Sequence, residues 1–248
     1  MKYIIGSLFI LLPCSAFADS NWVPGPATFG GTTEFGGTLT TGNTKTSSIK
    51  GKVDLKHELG NWENEYILEG LYKKDESDGE SKTTASRYQI GAQGNYRFDE
   101  DNYVFANGTY EDDRFRGFDF RISTAGGYGH KFFDEGGDLL KAEFGPGYVY
   151  TRPLDKDTDT ADKKNNNNLV LHVNAEYQKK ISESATFSQK VTADWGTRLD
   201  AVSESALSTK VIGALAMKFG VTIRYTSKPL DNKKSTDTET TLTLLYSF

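Results

Sequence analysis

Ile49-Lys-Gly-Lys-Val-Asp-Leu-Lys-His-Glu-Leu59 alternates residue by residue. Ile49, Gly51, Val53, Leu55, His57 and Leu59 fall on one side of an extended chain, and Lys50, Lys52, Asp54, Lys56 and Glu58 on the other. A helix would scatter both sets around its circumference, so the period of two decides for a strand with one apolar and one charged face. The pattern returns along the chain. Tyr88, Ile90, Ala92, Gly94, Tyr96 and Phe98 oppose Arg87, Gln89, Gln93, Asn95 and Arg97. Phe118, Phe120, Ile122, Thr124, Gly126, Tyr128 and Phe132 oppose Asp119, Arg121, Ser123 and Lys131. Leu169, Leu171, Val173, Ala175 and Tyr177 oppose His172, Asn174, Glu176 and Gln178, and Leu207, Val211, Leu215 and Met217 stand against Ser208 and Lys210.

Extended along the chain, this rhythm predicts about twelve strands, near 31–42, 46–59, 61–73, 84–98, 102–112, 118–132, 138–150, 168–180, 184–196, 203–217, 219–228 and 236–248. Tight connections fall at Gly60-Asn61, Asp99 to Asp101, Phe133 to Gly137, Ile181 to Glu183 and Lys218. Longer polar loops fall at Lys74 to Thr83, Arg152 to Asn167 and Lys228 to Ser235. An even strand count, with short turns on one rim and longer loops on the other, describes an all-β, antiparallel transmembrane β-barrel spanning 31–248. A soluble β-sandwich is the alternative, but it needs a second apolar layer where these segments present charge.

Composition agrees with a barrel and removes other classes. Of 248 residues, 36% are hydrophobic and 25% charged, and the formal charge is -5. Mean hydropathy is negative, and no apolar run reaches the roughly 20 residues of a spanning helix. Barrels hide their apolar surface in alternate residues, so a soluble-looking average does not exclude them. The acidic balance without a basic patch argues against a nucleic-acid partner. Residues 1–18 read as a cleaved export signal, with Lys2 before the apolar Tyr3 to Leu12 and Ala16-Phe17-Ala18 as the small-x-small site; residues 19–30 form a short leader. Cys14 offers a lipoprotein alternative, which Pro13 opposes by occupying the place of a small residue. Loss of the signal would remove the single cysteine, and with it any disulfide or thiolate metal site.

Trp62, Tyr72, Tyr96, Phe98, Tyr128, Phe132, Tyr148, Tyr150, Tyr177 and Trp195 sit at segment ends, where aromatic girdles meet lipid headgroups. Leu242, Leu244, Tyr246 and Phe248 alternate to the last residue. This set resembles the C-terminal strand signal by which the barrel-assembly machinery of Gram-negative cells recognises its substrates. Phe35-Gly-Gly-Thr-Leu-Thr-Thr-Gly-Asn-Thr-Lys-Thr-Ser47 resembles the opening strand and turn of the salt-induced outer-membrane protein family, often called YdiY-like. The resemblance runs from about residue 29 to residue 248 and includes the Trp62-centred third strand. It implies an outer-membrane barrel of enterobacterial type with expression linked to salt, and it carries no catalytic residues to transfer.

If the apolar faces meet lipid, the candidate lumen lining is Lys50, Lys52, Lys56, Arg87, Arg97, Arg121, Glu65, Glu69, Glu143, Glu176 and Asp194. Pairing about Gly60-Asn61 sets Lys56 opposite Glu65 and Lys52 opposite Glu69, contacts of about 0.2–1 kcal/mol each. Two readings follow: a lattice of ion pairs that fills the lumen, or a charged porin-like lining. Size leaves both open, because about 8 strands give a filled barrel and 16–18 an aqueous channel. Pairing about Ser182-Glu183 would set His172 against Asp194, but no serine lies in line with them, so an outer-membrane hydrolase is the weaker alternative. Phosphate loops, zinc spacings and calcium motifs are missing from the sequence. The expectation is a non-enzymatic structural barrel or narrow passive pore in the outer membrane, linked to salt or osmotic response, without metal or cofactor. A soluble periplasmic β-sandwich binding protein is the competing class. The expected partners are outer-membrane lipid, lipopolysaccharide contacted by the mixed-charge loops 73–82 and 152–164, and the assembly machinery.

Overall fold

The structure, a computed structural model, describes residues 27–40, 44–77, 80–113, 118–153, 166–229 and 234–248. The expected export signal, most of the leader, the Gly42-Asn43 turn and the middle of the 152–167 loop lie outside the described residues. The chain forms β1 (Thr28–Thr40), β2 (Thr44–Leu59), β3 (Trp62–Ser77), β4 (Glu80–Arg97), β5 (Asn102–Asp113) and β6 (Phe118–Glu135). It continues as β7 (Asp138–Pro153), β8 (Asn166–Lys180), β9 (Ala185–Trp195), β10 (Leu199–Ile212), β11 (Leu215–Thr226) and β12 (Thr236–Ser247). Each strand pairs antiparallel with its chain neighbours, and β1 pairs with β12, so the sheet is a closed barrel. The seam runs from Thr32↔Ser247 to Gly36↔Thr243. It is extended by Gly31 N–H donating to the Phe248 carbonyl at 2.9 Å and Phe248 N–H donating to the Gly31 carbonyl at 3.0 Å.

Long-range ion pairs identify the inner face. Arg87 on β4 reaches Glu239 on β12 at 3.1 Å, and Arg121 on β6 reaches Asp200 on β10 at 3.0 Å, each with three strands between. Only side chains inside a closed wall can meet in this way. Alternation then carries the neighbours of these charges outward. Leu169 is 79% and Ile212 72% exposed, whereas Glu143 is 1% and Thr151 0% exposed. The molecule is therefore inverted relative to a water-soluble domain, in which large apolar patches are rarely left open.

Four expectations change at strand ends. The turn placed at Lys218 is instead Gly213-Ala214, where Gly213 takes φ +56°. A two-residue hairpin needs that left-handed conformation, and glycine supplies it without a steric cost. The Lys74 to Thr83 loop is mostly ladder: β3 runs to Ser77 and β4 starts at Glu80, past a register shift at Lys73/Lys74. Polar residues on both faces erase the hydrophobic period there while the backbone pairing continues. Phe98 and Phe118, expected on the outer face, are only 9% and 4% exposed. Phe98 falls in a turn whose Asp99 carboxylate accepts the Asp101 and Asn102 N–H groups, and Phe118 precedes a register shift at Phe118/Phe120.

Close backbone approach shapes β6 and β7. Their pairing lapses between Ala125↔Gly147 and Tyr128↔Phe144 with the register unchanged, beside Pro146, which has no N–H to give. A Cβ on Gly127 would lie 2.1 Å from the Phe144 carbonyl oxygen, and one on Gly145 would lie 2.2 Å from that of Gly126. At Gly129 an added Cβ would strike the Tyr103 ring at 2.3 Å, so the ring lies over the bare glycine. Gly127→Val should therefore overpack this wall and cost at least the roughly 1–3 kcal/mol of such insertions. The check is the urea midpoint of barrel refolded into vesicles, and an unchanged midpoint would remove the close-approach argument.

Candidate functional site: the charged lumen

The inner wall carries its charge in three groups. The first links β2, β3, β4, β11 and β12. Glu69 receives Arg87 at 2.5 Å and Lys50 at 3.7 Å, and Glu239 receives Lys50 at 2.9 Å, Arg87 at 3.1 Å and Arg224 at 3.2 Å. Two carboxylates thus hold three cations. Beside this cluster, Lys218 contacts Glu34 at 2.7 Å, and the Thr243 hydroxyl donates to the same carboxylate at 3.3 Å.

The second group joins β5, β6, β8, β9 and β10. Arg121 lies 3.0 Å from Asp200 and 3.6 Å from Asp194, and Arg198 donates to Asp200 at 2.7 Å. His172 meets Asp194 through Nδ1 at 2.7 Å. Asn107 Oδ1 accepts the Ala125 N–H, so its Nδ2 is the donor facing His172 Nε2 at 3.4 Å. His172 and Asp194 are register partners. Among the described residues no serine hydroxyl hydrogen-bonds to His172.

The third group centres on Glu143. Its carboxylate accepts from Gln93 at 2.8 Å, from the Tyr103 hydroxyl at 2.8 Å and from Asn174 at 3.0 Å. The Tyr103 contact passes from β5 over β6, across Gly129, which is the register partner of Glu143. Next to it Lys141 contacts Glu176 at 3.2 Å.

Two cavities lie along this interior. One of about 470 Å³ sits toward the rim where β1 leads into β2, with Lys50, Lys73, Arg87, Asp113 and Glu239 in its wall. The other, of about 220 Å³, lies deeper, between Lys52, Glu69, Arg121, His172, Lys190 and Glu204. Arg224 borders both. The first ionic group therefore stands between the two spaces.

The sequence-derived candidates sort clearly on this wall. Lys56 and Glu65 are register partners, as are Lys52 and Glu69. The short contacts of Glu69 nevertheless go to Arg87 and Lys50, because long side chains directed into a lumen reach beyond the residue directly opposite. Arg97 contacts Glu58 at 3.3 Å and the Gly60 carbonyl at 3.2 Å, at the short-turn rim. Glu34, Asp200, Arg198, Lys218 and Tyr103 were missed. Continued alternation through β1 points to Glu34, between outward Thr33 and Phe35, whereas nothing local marks Tyr103 as an inward aromatic. Leu242, Leu244, Tyr246 and Phe248 all lie exposed on the outer face, with the Tyr246 and Phe248 rings stacked at 6.3 Å. Other outward rings form rows. Tyr88, Tyr110, Phe120 and Tyr150 stack in sequence at 5.9, 5.8 and 5.7 Å, and Trp62 meets Tyr96 edge-on at 5.2 Å near the opposite rim.

Burying charges costs several kcal/mol per ion, which attraction offsets only while every partner is in place. Glu143→Ala should leave three donors without their acceptor and lower stability by on the order of 3 kcal/mol or more. Tyr103→Phe, which leaves the carboxylate its two amide donors, should cost about 1.5–3 kcal/mol, the range for a hydrogen bond to a charged group. Urea midpoints in vesicles read both; equal effects of the two variants would contradict a hub at Glu143.

The chain is 27% identical over 165 residues to the "Uncharacterized protein YdiY" of Escherichia coli (strain K12), a match covering 66% of this chain and 63% of the relative. The chain thus spans less than two thirds of that relative's length. Among solved structures, an outer membrane channel from Pseudomonas putida F1 superposes with a TM-score of 0.48 at 10% identity, covering 94% of this chain and 100% of that one. The translocator domain of the autotransporter NalP from Neisseria meningitidis gives 0.47 at 12% identity, covering 93% and 91%. The barrel assignment rests on the strand pairing of this chain, independently of those superpositions. A family model described as "Protein of unknown function, DUF481" matches residues 33–248, from within β1 to Phe248, and the chain belongs to that family.

Proposed function

We propose that this chain resides in the outer membrane of a Gram-negative cell and gives small polar solutes a narrow, passive route through its lumen. The supporting observation is the pair of cavities, about 470 and 220 Å³, each with charged side chains in its wall, inside a closed barrel whose outer face is apolar. At about 30 Å³ per water, they have room for roughly 16 and 7 molecules. A closed barrel satisfies every ladder group internally, which makes strands admissible in hydrocarbon. The aromatic rows near both rims suit the headgroup level. In this reading the apolar, aromatic β12 addresses the chain to the barrel-assembly machinery, and loop charges meet lipopolysaccharide.

A sealed scaffold is the second reading, and one observation favours it: the Arg87–Glu239 and Lys50–Glu239 pairs cross the lumen between the two cavities. The passage would be narrowest there. The link to salt belongs to the same proposal. Raising salt from 0.15 to 1 M shortens the Debye length from about 8 to about 3 Å, yet buried pairs are screened little, so the constriction should persist in strong salt.

Planar-bilayer recordings of refolded protein test the passage. The expected result is small stepwise currents from the unaltered chain, and steps several-fold larger from the double variant Arg87→Ala, Glu239→Ala. Heat-modifiable migration on a gel confirms that each sample is a folded barrel. Folded protein silent in both forms would contradict the passage and leave the scaffold.

A further inference from the structure

The deeper cavity contains charges of both signs that the ion-pair network leaves over. Its arginines are engaged: Arg121 by Asp194 and Asp200, and Arg224 by Glu239. Lys52, Lys190 and Glu204 line the same space. Among the described residues, none of these three has a side-chain hydrogen bond or a charged partner within ion-pair distance. Lys190 and Glu204 are register partners on β9 and β10, yet their charged ends do not close on each other. Lys52 projects from β2, on the far side of the ring of strands, and feels Glu204 electrostatically across the space.

We propose that this cavity is a binding site for a small zwitterion, a solute of amino-acid size that carries a carboxylate and an ammonium group. Its carboxylate would lie between the Lys52 and Lys190 ammonium groups, and its ammonium against Glu204. Two physical arguments select that class. A simple anion would enter a space that also presents Glu65, Glu204, Asp194 and Asp200, and a simple cation would meet two lysines that no carboxylate approaches within ion-pair distance; each would gain attractions and suffer the opposing repulsions. A solute with both charges converts both sets into attractions. Volume sets the size: about 220 Å³ holds roughly seven waters, or a solute of about as many heavy atoms. Gln89 and Thr109, also in the wall, add neutral hydrogen-bonding groups that suit a polar solute.

The site rests on the passage reading only for how the solute arrives. Equilibrium dialysis of the refolded barrel against radiolabelled glycine, acetate and methylammonium tests it without requiring any variant to fold. Glycine should be retained at least tenfold more tightly than either singly charged analogue. Lys52→Met and Glu204→Gln, checked for heat-modifiable migration, should each weaken glycine retention at least tenfold. Equal retention of the three solutes, or unchanged glycine retention by folded variants, would overturn the site. Selective glycine retention by a barrel that passes no current would keep the site and sink the passage; current without selective retention would do the reverse.

Discussion

Closure of the backbone ladder is the constraint on which the rest of this structure depends. A sheet that ended at β1 and β12 would present two rows of unpaired N–H and C=O groups, each costing several kcal/mol in hydrocarbon. The seam from Thr32↔Ser247 to Gly36↔Thr243, lengthened by the mutual Gly31 and Phe248 bonds, removes those rows. Once the wall is closed, the two faces of every strand become an inside and an outside. The alternation visible in Ile49 to Leu59 then has a single consequence: apolar residues face out, and charged residues share a confined interior.

That interior replaces the apolar core of a soluble domain. Its cohesion comes from carboxylates shared among cations, such as Glu239 between Lys50, Arg87 and Arg224, and from Glu143 among neutral donors. Such networks stabilise when complete and become a liability when one member is lost. Glycine makes the geometry possible where contacts must cross a strand. Tyr103 reaches Glu143 only because Gly129 leaves the intervening surface bare. The same network leaves Lys52, Lys190 and Glu204 without a close ion pair around the deeper space, and there the proposed solute would be held.

Much of this was legible in the sequence because a period of two fixes the face of each side chain once a strand is recognised. The Lys52↔Glu69 and Lys56↔Glu65 register followed from the Gly60-Asn61 turn, and His172↔Asp194 from the short connection between β8 and β9. Two kinds of information were absent from the local pattern. Strand ends blur where both faces are polar, as between Lys74 and Thr83, or where a turn glycine such as Gly213 lies within an apparently continuous segment. Contacts across the lumen depend on barrel diameter and on which strands stand opposite, so Arg87–Glu239 and Arg121–Asp200 could not be read from neighbouring residues. Tyr103 and Phe105 look like lipid-facing aromatics, yet they are buried at 2% and 4% exposure.

Cross-linking of the seam tests the closed barrel most directly. Thr32→Cys and Ser247→Cys, introduced together in a chain whose Cys14 is replaced by serine, place two thiols on register partners of β1 and β12. Disulfides require Cα atoms within about 4.4–6.8 Å, so oxidation of the refolded protein should join this pair nearly completely. Thr32→Cys with Thr243→Cys, on the same face but four residues out of register, should stay reduced under the same conditions. Failure of the first pair to close, or equal cross-linking of both, would contradict the seam and with it the inside and outside assigned to every strand.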